Sequence, residues 1–206
     1  MSDLSKTELQ RRTKIVVGDY GGILPMFEAF YLEAIKYAAR SAIDAFDRYE
    51  AAIMQGNNAA SAVANVHEAL MHAGAVSRFF WPIRNDGITA ARAVKLREAF
   101  GITDESPLFN RELRNALEHF DERLDGFLLD DTVGAIFPGP IVGSAELAED
   151  ELGHIFRLVD PQIDIFVLFG KKYEFEPIRE AVNVVFHIAD DCDARGGRLD
   201  IPSEAT

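Results

Sequence analysis

A chain of 206 residues with 48% hydrophobic content can bury a sizeable core in one domain and still carry a small appended part. Its net charge of -13 excludes broad coating of DNA or RNA, because such binding draws its affinity from neutralised phosphates; a local basic pocket or a cationic partner protein stays open. One cysteine, Cys192, excludes an internal disulfide and a thiolate metal site and is expected to be a small buried residue, and the apolar runs are too short to cross a bilayer, so the expected location is cytoplasmic.

Residues 1–14 are polar, without a sustained apolar face, and read as a flexible tail or a short peripheral helix. Residues 15–22 mix a β-branched run with three glycines, which predicts a short extended piece and a turn before Pro25. Across residues 26–55, Phe27, Phe30, Tyr31, Ala34, Ile35, Ala38, Ala42, Ala45, Phe46 and Ile53 recur at spacings of three and four, which predicts a long amphipathic helix ending at Gly56. A second helix over residues 58–80 carries Val63, Val66, Leu70, Ala73, Val76 and Phe80 and pairs with the first as an antiparallel hairpin. A third runs over residues 89–100 and stops at Gly101.

Ser106 before Pro107 predicts a capped fourth helix over residues 107–128, with the stripe Leu108, Leu113, Leu117, Phe120, Leu124 and Phe127 facing inward. The glycines and prolines of residues 130–150 predict a long loop, and residues 152–176 two or three short antiparallel strands. Pro177 opens a last helix with Ile178, Val182, Val185, Phe186 and Ala189 inward; residues 193–206 form a second tail. The expected fold is mainly α, one domain over residues 15–192, with a small antiparallel β-hairpin or meander and a closing helix.

Chemistry concentrates on the fourth helix. Asn115 and His119 are four apart and share a face, and Arg114 is long enough to reach the same anion. Arginine offers a planar fork of donors to a phosphate, and histidine titrates nearest neutrality. Spacing by itself favours a plainer outcome, a surface pair between Arg114 and Glu118. Elsewhere, His67 and His72 are five apart, which rules out the zinc-protease face and leaves Glu68 and His72 as an exposed or rim pair. The acidic group Asp190, Asp191 and Asp193 reads as a solvated helix end, and His154 and His187 as packed histidines. No phosphate-loop glycine pattern and no nucleophile elbow occurs. No metal or cofactor is expected.

The run Leu113, Arg114, Asn115, Ala116, Leu117, Glu118, His119, late in a four-helix array after two long helices, resembles the Arg-x(4 to 6)-His motif of the HEPN superfamily. The resemblance covers residues of roughly 26–128 and does not account for the strands and helix of residues 152–192. It implies an antiparallel helical bundle, a homodimer formed through the motif helix, and in many members metal-independent cleavage of RNA in toxin, antiphage or RNA-processing systems. Under that resemblance His119 assists proton transfer at the ribose 2'-hydroxyl or the leaving oxygen, Arg114 binds the scissile phosphate, and Asn115 orients one of them. The expected partners are then RNA and a cognate antitoxin or regulatory protein, with neither DNA nor a membrane. RNA cleavage is the leading expectation; the alternative is a non-catalytic module binding a nucleotide, an anion or a partner protein. The net charge of -13 motivates that alternative, and Glu112, Glu118, Asp121 and Glu122 around the motif would make the cleft acidic and repel RNA unless they turn away or raise the imidazole pKa.

Overall fold

The computed structural model describes residues 5–56, 58–130, 134–150 and 153–199. Among these, seven α-helices and four strands follow one another as α1 (Lys6–Tyr20), α2 (Glu28–Gln55), α3 (Ala59–Phe80), α4 (Gly87–Phe100), α5 (Arg111–Glu118), α6 (Phe120–Asp130), β1 (Ala135–Val142), β2 (Gly153–Asp160), β3 (Ile165–Leu168), β4 (Lys171–Glu174) and α7 (Glu176–Ala194). The fold is mainly helical, with one small sheet.

At the amino end, the helical alternative holds and extends beyond its expected limit. Ser5 caps α1 by accepting from the Glu8 amide at 3.2 Å, and the helix runs through Ile15, Val16 and Val17 to Gly21. The expected extended piece is therefore helix, because β-branched residues lower helix propensity only slightly once a cap and a stop bracket the segment. Gly22 follows with φ 87°, and a Cβ there would lie 2.4 Å from the Arg92 amide nitrogen, so only glycine lets this turn rest on α4.

The hairpin of α2 and α3 forms as expected, with Asn58 capping α3 by accepting from the Ser61 amide at 2.9 Å. Leu32, Ile35, Ala38, Ala39, Ala42, Ala45 and Phe46 of α2 meet Ala62, Val63, Val66, Ala69, Leu70 and Ala73 of α3 in a single core. The many alanines let the helix backbones approach, and each fully buried Leu, Ile, Val or Phe contributes about 1.5–3 kcal/mol. The inward stripe of α2 is not quite the expected one. Phe30 is 72% exposed, and the face that packs begins with Leu32 instead.

Two expectations after α4 are corrected. The fourth helix is not continuous: residues 107–109 form a 3-10 turn, α5 begins after Asn110, and the helix breaks at His119, whose φ and ψ are -109° and 47°. Phe120 explains the break, since its ring turns inward against His67 of α3 (5.7 Å), Phe156 of β2 (5.8 Å) and Phe169 (5.1 Å). Packing on the sheet outweighs local helix propensity there.

The expected loop over residues 130–150 contains β1 and a 3-10 turn over residues 145–149. The sheet, in the order β1, β2, β3, β4, is thus mixed rather than a plain antiparallel meander: β1 runs parallel to β2, and the other pairs are antiparallel. Pro138 and Pro140 disturb the register between Phe137 and Pro140, a defect tolerated because β1 is an edge strand. One sheet face sends Val159, Phe166, Leu168 and Tyr173 into the helical core; the other, with Ile155, Leu158 and Val167, is covered by Ala145 and Ala148. Helix α7 lies along α2 with the expected residues inward, and Phe175 at its start stacks on Phe46 at 5.9 Å. Cys192 is buried as expected.

Candidate functional site

The carboxyl end of α3 organises the region around the motif. A helix leaves its last carbonyls without partners and carries partial negative charge there, so cations are favoured. Three arginines from two other helices meet that need. Arg97 donates to the Phe80 carbonyl at 2.6 Å, Arg114 to the Trp81 carbonyl at 2.9 Å, and Arg92 to the Arg78 carbonyl at 3.5 Å. The Trp81 indole donates to Asp104 at 2.7 Å, fixing the residue whose carbonyl Arg114 reads.

Arg114 is therefore an interior residue, 7% exposed, with a second hydrogen bond to Ser77 Oγ at 3.4 Å. Its Nε is buried without a protein partner, and Arg114 lines a cavity of about 20 Å³ with Ser77, Asn110 and Leu113, which is room for one water. Burial lowers its pKa; Glu118 opposes this, and nearby Arg111 and Arg78 add to it.

Glu118 does not pair with Arg114. It takes Arg78 at 2.7 Å, across from α3. Asn115 is half-buried, and its carbonyl accepts from the His119 amide at 3.0 Å. The His119 side chain, at the break between α5 and α6, is 57% exposed with Nδ1 3.6 Å from Glu122. Arg114 thus turns inward to α3 while His119 turns to solvent. The pattern of letters that suggested a shared face assumed an unbroken helix.

The other sequence candidates resolve individually. Glu68 pairs with Arg48 at 2.8 Å and stands 3.9 Å from His72, the rim arrangement expected. His67, one residue earlier, is held between Phe120 and Phe166; burial and then the Arg157 charge push its pKa down. Asp190 and Asp193 face Lys36. His154 is half-buried against Phe127, whereas His187 is exposed on the outer face of α7, correcting the expectation that it is packed. Among the described residues, no group of three metal-ligating side chains assembles.

One constellation has no counterpart in the sequence reading. Glu28, 2% exposed at the start of α2, accepts from Lys95 of α4 at 2.8 Å, from Arg198 Nε at 2.7 Å and from the Leu199 amide at 3.1 Å. Lys95 also donates to the carbonyls of Tyr20 and Ile23, both at 3.2 Å. Burial would raise the Glu28 pKa, but the bonds from Lys95, Arg198 and Leu199 outweigh it and hold the carboxyl below its ordinary range. Residues 28, 95 and 198 share no spacing that a linear reading could have found.

No family model, curated protein or solved structure matches the chain.

Proposed function

We propose that the chain is a non-catalytic interaction module on a HEPN-like helical bundle, with a partner protein as its ligand. The observation that carries this reading is the hydrogen bond from Arg114 to the Trp81 carbonyl: the guanidinium needed for a scissile phosphate already caps α3. Glu118 is committed to Arg78 in the same way. A net charge of -13 favours a cationic face on the partner, whether a regulatory protein or the counterpart of a toxin pair. Dimerisation through the motif helix belongs to the same proposal.

The second reading, metal-independent RNA cleavage at a composite homodimer site of Arg114, Asn115 and His119, draws its support from the exposure of His119. An RNA cleavage assay with excess EDTA separates the two. The module predicts no cleavage by the wild type and identical behaviour of His119→Ala. Cleavage that survives EDTA and disappears in both His119→Ala and Arg114→Ala would overturn it in favour of the nuclease.

A further inference from the structure

We propose that Glu28 and Lys95 form a receptor for an arginine-bearing peptide segment, that residues 197–199 of this chain occupy it as a detachable internal ligand, and that it accepts the same segment supplied in trans. This inference stands apart from the motif and from the reading of function above.

The receptor is complete without its occupant. Lys95 directs its ammonium at Tyr20 O, Ile23 O and Glu28 Oε1, all within the body of the fold, so its three donors are satisfied by groups that do not belong to the segment. That leaves Glu28 Oε2 as the acceptor that meets the segment. The segment supplies two donors to this one oxygen, the Arg198 guanidinium at 2.7 Å and the Leu199 amide at 3.1 Å. A carboxylate read by a side chain and the next backbone amide recognises a peptide, not a lone cation.

The segment alternates as a bound peptide does: Gly197 is buried, Arg198 exposed and Leu199 buried. After α7, the amides of Gly196 and Gly197 bond to Asp193 O and Cys192 O, and both glycines take positive φ, 100° and 72°, which turns the chain back onto α2. A Cβ at position 197 would stand 2.9 Å from that of Ala29, so the contact admits only glycine at this conformation.

Glu28, Lys95, Arg198 and Leu199 together line a groove of about 660 Å³ between the turn at Gly21 and α4, with Asp19 and Glu98 on its walls. Two further carboxylates near Glu28 favour the approach of a guanidinium. Release of the segment would leave Glu28 with Lys95 as its remaining side-chain partner and clear Arg198 and Leu199 from the groove that Glu28 and Lys95 line.

The test uses full-length protein and a labelled peptide, Gly-Gly-Arg-Leu, matching residues 196–199. In the wild type the site is self-occupied, so the peptide should bind Arg198→Ala at least about tenfold more tightly, the masking expected of an internal competitor. The peptide with alanine in place of arginine should not bind, and Glu28→Gln in the Arg198→Ala background should abolish binding. Gly197→Ala, which displaces the segment sterically while keeping Arg198, gives the same comparison if Arg198→Ala does not fold. In the wild type, hydrogen exchange at the Leu199 amide should proceed without global unfolding. Equal binding to wild type and both variants, no binding to either variant, or exchange of Leu199 only through global unfolding would each overturn the proposal and leave the segment as a fixed structural tie.

Discussion

Two polar clusters of this molecule invite comparison, Arg114 with Asn115 and His119, and Glu28 with Lys95 and Arg198. The first is contiguous in sequence and comes apart in space: its arginine faces α3, its histidine faces solvent, and its glutamate neighbour serves Arg78. The second is dispersed over 171 residues and converges on one buried carboxylate. Proximity along a helix sets which groups can meet, whereas burial sets which must. A charge taken out of water requires partners from any distance, and an exposed one requires none.

The largest effect that separates the clusters is expected at Glu28. Glu28→Ala leaves Lys95 buried without its counter-ion and should cost about 3–5 kcal/mol in urea unfolding. Replacing both, as Glu28→Leu with Lys95→Met, should recover most of that loss, because the penalty comes from the orphaned charge. A cost no larger than that of a surface substitution would mean the pair is not a buried one.

Arg114→Ala comes next. It removes a charged donor from the end of α3 and should lower stability by roughly 1.5–3 kcal/mol, and because one nitrogen, Nη1, meets both Trp81 O and Ser77 Oγ, Arg114→Lys should restore part of the loss. Full stability of Arg114→Ala in a melting experiment would free the residue for a role at a ligand.

The third difference is in pH. His67 is held neutral by burial and by Arg157, so its folded pKa lies below its ordinary value. The unfolded chain takes up a proton first as pH falls, which means stability is complete above about 6.5 and declines below it. His67→Phe should flatten that part of the stability profile. The depressed Glu28 carboxyl acts the same way at lower pH: its contribution is present above the ordinary carboxylate range and is lost as pH falls through the folded value.

The smallest effect is expected at His119. With its ring exposed and Glu122 beyond hydrogen-bond range, His119→Ala should change stability by less than about 0.5 kcal/mol. A larger loss would place the ring in an interface, and equilibrium sedimentation of wild type and variant would then show whether that interface is a homodimer.

Helix α2 and the break at His119 mark how far the sequence could be read. For α2, α3 and α7, apolar residues repeat with the helical period over many turns, and the Asn58 cap and the first-turn Pro177 are local chemistry, so their extents could be foreseen to within a few residues. Phe120 carries no local sign that it will leave the helical path; the pull comes from Phe156 and Phe169, distant in the chain. Strand β1 was hidden for a related reason. Its prolines and glycine read as loop, and only the parallel alignment with β2 makes it a strand.

The sequence by itself thus determined α2, α3, α4 and α7, their order and most of their inward faces, because a helix closes its hydrogen bonds within its own segment and writes its period into neighbouring residues. The tertiary structure alone decided the mixed sheet, the broken motif helix, the use of Arg114 as a cap and the convergence on Glu28. Those depend on which unsatisfied donors, acceptors and charges are brought together after the helices pack, and no spacing along the chain encodes that meeting.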